Sequence, residues 1–260
     1  MHADITRLEL ALRRRSAIGY AIGMALYTLV VVALYPSFKN STSLNGLSGS
    51  TTAALFGVTG PLTSPGGWLN GNIYGNFFPL IMLLLTIGYG AAAVAGQDED
   101  GTLALLAVLP LRRRAILAQK VAAMAIQALL LAAAVTICVL IGRSFQVTIS
   151  PGHVLAVAAA LVLMGLDFGL IAMAAGAATG QRGTALAIGG GLAAASYLLS
   201  SLAATVSWIR PGRYLSLFYY SVGNGQITKG ASAAAFAVLL LTGLAALAAA
   251  AVVFRRADLH

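Results

Sequence analysis

Six long apolar runs, each close to the length that crosses a bilayer as a helix, constrain this chain more than any other feature. A helix of about 20 apolar residues is roughly 30 Å long, which matches the hydrocarbon core of a membrane. Polar or charged segments separate the runs, so each run is expected to form its own helix. We predict an all-α integral membrane protein with one transmembrane domain over residues 1–260 and spans at 16–35, 74–96, 121–142, 153–178, 184–206 and 231–254.

Composition excludes a soluble protein. Hydrophobic residues make up 59% of the 260 and charged residues only 9%, whereas soluble domains carry about 25% charged residues. The net charge is +9, but the basic residues stand at the ends of the apolar runs. This placement indicates membrane lipids as partners and not nucleic acid. The one cysteine, Cys138, lies inside an apolar run, so neither an internal disulfide nor a metal site is expected.

The first fifteen residues are amphipathic. Ile5, Leu8 and Leu12 recur at helical spacing, while Arg7 and Arg14 fall on another face. This pattern predicts a helix over 1–15 that lies at the membrane surface before the first span. Four cations at the ends of apolar runs are expected at the same surface: Arg13, Arg14, Arg15 and Lys120.

The distribution of cations predicts the topology. Six spans place both termini on one side of the membrane. With the N-terminus inside, the cytoplasmic segments hold eleven of the sixteen lysines and arginines, and the outer segments hold five. We therefore predict a multi-pass protein of the plasma (inner) membrane with cytoplasmic N- and C-termini. The segment between the second and third spans is then cytoplasmic.

That segment is the longest highly charged passage of the chain. Three acids come first, at 98–100, where negative charge suits a helix N-terminus. The apolar run 103–109 is too short to cross a bilayer, and Pro110 ends it because proline removes a backbone donor. We predict a short helix over 98–109 that lies on the membrane surface as a docking element, followed by a basic cluster.

The same segment resembles the loop after the second span of ABC-2 type permeases, the membrane subunits of a class of ABC transporters. In that family the loop forms a coupling helix that sits in a cleft of the ATP-hydrolysing subunit. The position of Gln97 is usually another acid, a minor departure because acids flank Glu99 on both sides. The resemblance implies contact with a separate ATPase by Asp98, Glu99, Asp100, Gly101, Thr102, Leu103, Leu105, Leu106, Leu109, Pro110 and Arg113.

The resemblance also implies a function and partners. The chain would be the permease of an ATP-driven, type V-like exporter, assembled from two ABC ATPase subunits and two permeases, the second a copy or a paralogue. ATP and Mg²⁺ would bind to the ATPase and no cofactor to this chain. No P-loop is present, because the glycines at 189–191 are not followed by the Gly-Lys-Ser/Thr of a P-loop. The substrate would be hydrophobic or amphipathic, such as a drug, an antibiotic, a lipid or a peptide.

Residues 207–230, between the fifth and sixth spans, are amphipathic and aromatic. The stretch 215–220 resembles the segment before the last span of the family, where short re-entrant helices pack near the outer exit. An aromatic belt at the outer interface explains the same composition, so both interpretations stay open. Tyr219 and Tyr220 in this stretch are candidates for the substrate path.

Asp167 is the one acid deep within a span, where an ionisable group is costly and normally faces the bundle interior or a water-filled path. It is either a contact for substrate or protons, or a buried acid bonded to a neighbour such as Gln127. The first option gives the alternative function, an ion- or proton-coupled secondary transporter, which predicts charged or broken helices in both halves of the chain. Glycine pairs at 19/23, 165/169 and 176/180 are expected at close helix contacts.

Overall fold

The computed structural model describes residues 4–41, 60–99, 101, 113–230 and 232–256. It contains six helices that are long and apolar enough to cross a membrane, which confirms the predicted fold class. We label the six α1 (Asp4–Phe38), α2 (Phe77–Ala91), α3 (Arg113–Ile141), α4 (Pro151–Thr179), α5 (Arg182–Thr205) and α6 (Ala233–Arg256). The terminal face is where α1, α3 and α5 begin and α2, α4 and α6 end, and the other end of the bundle is the opposite face.

α1 is one helix from Asp4 to Phe38. The sequence pattern predicts two elements there, a surface helix over 1–15 and a span over 16–35. No proline or helix-ending sequence stands near position 15, so the chain has no reason to leave the helical conformation. The apolar residues of the first turns divide between two environments: Ile5 is buried, whereas Leu8 and Leu12 are 50% and 68% exposed.

α4 is the central helix of the bundle. It packs against α2, α3, α5 and α6, while α1 packs on the outside against α3. Glycines permit the closest of these contacts, since an added Cβ on Gly165 would lie 2.6 Å from Met82 Cγ and one on Gly169 would lie 2.9 Å from the Thr86 carbonyl oxygen, both on α2. Such small residues let helix backbones approach closely without a hydrophobic driving force.

The predicted glycine contacts are therefore confirmed for α4 but not elsewhere. A Cβ on Gly176 would meet Ala95 Cβ at 3.2 Å. Gly180, paired with Gly176 in the sequence, ends α4 in the left-handed conformation with φ 65°. Gly19 and Gly23 on α1 have no described atom within 4 Å of an added Cβ.

The chain before α2 packs against the bundle at the opposite face. A short helix, Pro65–Leu69, begins where Ser64 Oγ accepts a hydrogen bond from the backbone of Gly67, and a π-helical turn, Asn70–Tyr74, follows. Trp68 Nε1 donates to the Val31 carbonyl oxygen of α1 at 2.9 Å. α2 itself continues beyond Ala91 as a π-helical turn, Ala92–Gly96, and a final helical turn, Gln97–Glu99.

The segment between α5 and α6 re-enters the bundle. It contains a 3₁₀ turn, Arg210–Leu215, a π-helical turn, Tyr219–Gly223, and a short helix, Gln226–Lys229. Ser221 Oγ donates to Met164 Sδ at 3.1 Å. Met164 lies about 20 Å along α4 from its first residue, at 1.5 Å per residue. The segment thus reaches between the helices and returns, and we call it the re-entrant segment.

Candidate functional site

Most of the predicted coupling helix lies outside the described residues, so that helix stays a prediction. The structure describes Glu99 and Gly101, and of Asp98 and Arg113 the backbone. Outside it are Asp100, Thr102, Leu103, Leu105, Leu106, Leu109 and Pro110. Gln97 before this loop and Lys120 in the helix after it are both described, and each makes specific contacts at the terminal face.

Glu99 connects the end of α2 to the start of α5. Its Oε1 accepts a hydrogen bond of 2.8 Å from the backbone N–H of Arg182, which is the first residue of α5. The first N–H groups of a helix have no partner within the helix, and the helix dipole favours a carboxylate there. The family resemblance implies that Glu99 contacts the ATPase, and within its own chain this side chain contacts Arg182.

A buried ion pair joins α1 to α3. Glu9 Oε1 and Lys120 Nζ are 2.7 Å apart, with the two side chains 2% and 0% exposed. Gln97 Nε2 donates to Glu9 Oε1 at 2.8 Å, and Gln97 Oε1 accepts from Lys120 Nζ. Each of the three side chains therefore contacts the other two. We call this group the Glu9 clamp.

The clamp corrects the prediction that Lys120 lies at the membrane surface. That prediction assumed that the ammonium group at the start of an apolar run reaches out to lipid headgroups and water. Inside the bundle, the Glu9 carboxylate and the Gln97 amide oxygen supply the negative charge and the hydrogen-bond acceptors that headgroups and water would supply at the surface. Arg14 and Arg15 are exposed as expected, and Arg13 is partly exposed.

Arg13 extends the clamp toward α2. Its Nε lies 3.4 Å from Glu9 Oε2, and its guanidinium carbon stands 4.5 Å from the centre of the Tyr89 ring. Glu9 Oε2 has no hydrogen bond among the described residues, so the Arg13 ion pair is what compensates it. A cation over an aromatic face is attracted by the ring quadrupole. The Glu9 carboxylate consequently lies between two cations.

Gln119, beside Lys120, holds the start of α1. Its Oε1 accepts the backbone N–H of Ile5 at 3.0 Å and that of Thr6 at 3.4 Å. Thr6 Oγ1 in turn donates to the Gln119 carbonyl oxygen at 3.1 Å. These bonds satisfy donors that the first helical turn leaves free. The first turns of α1 are thus fixed to α3 at two neighbouring levels.

An apolar groove of about 700 Å³ lies between α2 and α5. The polar side chains in its lining are Asn76 and Tyr197, near the opposite face, where Tyr197 Oη donates to Asn76 Oδ1 at 3.0 Å. A groove of this size and polarity suits a ligand with an apolar body and few polar groups. It is lined by Asn76, Phe77, Leu80, Leu83, Leu84, Ile87, Gly88, Leu186, Gly190, Ala193, Ala194, Tyr197 and Phe218.

The four side chains predicted for the substrate path do not line this groove. Asp167 is 1% exposed, and its Oδ1 lies 2.6 Å from where a Cβ on Gly243 of α6 would stand. The hydrogen bond proposed between Asp167 and Gln127 is not formed, because Asp167 Oδ2 and Gln127 Nε2 have no such partner among the described residues.

Gln127 instead borders a smaller space of about 300 Å³ between α1 and α3. Tyr219 and Tyr220 belong to the re-entrant segment, where Gln226 Nε2 donates to both of their carbonyl oxygens at 2.9 and 3.0 Å. The predicted path is therefore dispersed over three places. Within the described parts of the chain, no group of three His, Cys, Asp or Glu side chains could hold a metal ion.

The arrangement defines a class of protein: a multi-pass helical membrane protein with a lateral apolar groove and a loop anchored at one face. The chain belongs to the ABC-2 transporter family, since the family model described as ABC-2 family transporter protein matches residues 3–259. It is accordingly a membrane transport subunit that is not itself catalytic, and family membership implies association with ABC ATPase partners. A comparison with curated proteins gives no match.

Proposed function

We propose that this chain is the permease of an ATP-driven exporter for a hydrophobic or amphipathic substrate. The observation that carries the proposal is the bond from Glu99 to the first residue of α5. The loop that would contact the ATPase begins at the end of α2 and is tied through Glu99 to α5. These two helices are the walls of the apolar groove. A force on the loop therefore reaches both walls directly.

The mechanism follows from these connections. Closure of the ATPase subunits on ATP displaces the loop, and α2 and α5 move with it as rigid bodies, because packed helices shift as units. The change in their separation opens the groove to one side of the membrane and then to the other. The substrate's apolar body rests on the leucines of α2, and Asn76 and Tyr197 hydrogen-bond to its polar end. ATP and Mg²⁺ bind on the ATPase.

A second permease, identical or paralogous, would cover the open side of the groove in a complex with two ATPase subunits. The candidate spans in α5 and α6 are 28% and 17% buried, the lowest values among the six. Gly183, Gly190 and Gly191 on α5 have no described atom within 4 Å of an added Cβ. Exposed small residues allow a second helix to approach closely in lipid. The eleven-to-five distribution of cations supports cytoplasmic termini in the plasma membrane.

The alternative, a proton- or ion-coupled transporter that uses Asp167, has one observation in its favour. Asp167 Oδ2 is buried without a hydrogen bond among the described residues. However, Asp167 lines neither the groove between α2 and α5 nor the space beside Gln127. A coupling acid needs a route for its ion, so the ATP-driven function is the better supported of the two.

The coupling loop gives the test of the proposed function. Each leucine buried in a docking groove contributes about 1.5–3 kcal/mol, so Leu103→Asp with Leu106→Asp should detach the ATPase while the six spans still insert. Glu99→Gln, which keeps an oxygen acceptor for Arg182, should weaken coupling only modestly. Co-purification with the co-expressed ATPase and its ATP hydrolysis are measured. Arg7→Gln, an exposed charge at the same face, is the control. Normal co-purification of the double leucine variant would overturn the proposal.

A further inference from the structure

The Glu9 clamp is made of one residue from each of three elements that are distant in sequence. Glu9 comes from α1, Gln97 from the last turn after α2, and Lys120 from α3. Gln97 stands immediately before the loop that the proposed function assigns to the ATPase, and Lys120 opens the apolar run that follows it. The bond between Gln97 and Lys120 joins the residue before the loop to the third helix, two turns after that helix begins. Glu9 Oε1 accepts from both.

The position of Glu9 on α1 shows that its burial is built into the helix. Ile5, one turn before Glu9 and about 40° from it around the helix, is buried as well. An apolar residue at position 9 would have matched Ile5. A carboxylate there does not strengthen the contact with α3. Burying an ion pair costs solvation free energy, and the attraction between the two charges at most offsets that cost. The distinctive property of the carboxylate is the ability to accept two hydrogen bonds in fixed directions.

We propose that Glu9 is a positioning residue: through the clamp it ties α1 to Gln97 before the coupling loop and to Lys120 in the helix after it, so that displacement of the loop moves α1. The inference rests on the proposed function, because it takes the loop as the element that the ATPase displaces. Two sets of contacts connect α1 to these elements. Gln119 bonds to the first turn of α1, and Glu9 in the next turn pairs with Lys120 and accepts from Gln97.

The clamp and the Glu99 contact then divide the motion between two sides of the bundle. Glu99, two residues after Gln97, transmits displacement of the loop to α5, and Gln97 transmits it to α1 and α3 through Glu9 and Lys120. Loss of the carboxylate would leave the α5 connection intact while it removes the side-chain link between α1 and Gln97. The expected defect is therefore selective: binding and hydrolysis by the ATPase continue, but α1 follows the loop less.

The experiment uses the permease co-purified with its ATPase in lipid nanodiscs. Spin labels are placed at Leu12 on α1 and Ala187 on α5, both exposed, in a Cys138→Ala background. Labelled permease is diluted with unlabelled copies so that distances within one chain dominate. The label distance is measured by pulsed electron paramagnetic resonance without nucleotide and with ATP trapped by vanadate. Variants are Glu9→Leu, which has no oxygen to accept from Gln97 or Lys120, the inverted pair Glu9→Lys with Lys120→Glu, and the control Arg7→Gln.

We expect the nucleotide-dependent change in distance to fall below half of the native value in Glu9→Leu, to recover in the inverted pair and to be unchanged in Arg7→Gln. ATPase co-purification and hydrolysis should stay within twofold of native throughout. If Glu9→Leu does not fold, Glu9→Leu with Lys120→Met, which leaves no buried ammonium group without its carboxylate, replaces it with the same expectation.

Two outcomes separate the clamp from the proposed function. A Glu9→Leu permease that binds the ATPase and keeps the full distance change overturns the clamp alone, as does a native complex that shows no change on nucleotide trapping. A native permease that does not bind the ATPase overturns the proposed function and the clamp with it.

Discussion

Lys120 and Asp167 are both buried charged residues, but their surroundings differ. Lys120 has the Glu9 carboxylate at 2.7 Å and the amide oxygen of Gln97. Asp167 has no hydrogen bond at Oδ2 among the described residues, and its other oxygen lies where the missing side chain of Gly243 leaves room. A buried ionisable group is costly without partners. The first residue is held by contacts, and the second is accommodated by a glycine.

Gly243→Ala should therefore destabilise the protein through Asp167. The new Cβ would stand 2.6 Å from Asp167 Oδ1, and overpacking of this kind costs about 1–3 kcal/mol. The unfolding temperature of the purified permease in detergent should fall. Asp167→Ala in the same chain removes the clash, so the double variant should be more stable than the sum of the two single changes.

Gly19→Ala is the matched control, because no described atom lies within 4 Å of a Cβ there. It should keep or slightly raise the unfolding temperature, since alanine favours a helix over glycine by about 1 kcal/mol. An unfolding temperature of Gly243→Ala equal to the native value would show that the carboxyl group has room to move away.

At the scale of the element, the close approach of α2 to α4 organises the bundle. Gly90 of α2 faces the backbone of Gly169 on α4, so closely that a Cβ on Gly90 would lie 2.1 Å from the Gly169 carbonyl oxygen. Neither backbone can move aside without disturbing the other helices that pack on α4. Contacts of this kind replace the hydrophobic driving force that is absent between helices in lipid.

Gly90→Ala should consequently separate the two helices. Its Cβ would meet backbone atoms, which cannot rotate away as a side chain can, and we expect a loss of stability of about 3 kcal/mol or more. Gly88→Ala, two residues earlier and in the lining of the groove, meets no described atom within 4 Å and should be neutral. The yield and unfolding temperature of the two variants are compared. Equal stability of the two would mean that α2 and α4 are farther apart than the structure has them.

Length and periodicity explain what could be predicted from the sequence at this scale. Six apolar runs of sufficient length require six helices, because a bilayer satisfies no backbone polar group. The direction of each face could not be predicted in the same way. On α1 the leucines at 8 and 12 are exposed while Glu9 is buried, because lipid accepts leucine as well as a helix interface does. Glu9 carries one signal in retrospect, its four-residue spacing from Ile5 and Arg13.

At the scale of the whole molecule, the re-entrant segment and the groove depend on contacts between remote parts of the chain. Composition leaves open whether residues 207–230 lie along the outer interface or re-enter the bundle. The contact between Ser221 and Met164 places part of this segment between the helices. The groove needs α2 and α5 side by side, which no local pattern specifies. Asn76 and Tyr197 are 121 residues apart in sequence, and no spacing or periodicity predicts the hydrogen bond between them.

The orientation of the whole molecule in the membrane is the last prediction. Ser41 follows α1 and Ser232 precedes α6 at the opposite face, while Thr179 ends α4 at the terminal face. The eleven-to-five excess of cations in the segments of the terminal face predicts that this face is cytoplasmic. In a Cys138→Ala background, cysteines at Ser41 and Ser232 should react with an impermeant thiol reagent in intact cells. A cysteine at Thr179, which is exposed, should react only after the cells are permeabilised. Labelling of Thr179→Cys in intact cells would invert the topology and place the loop beyond the reach of a cytoplasmic ATPase.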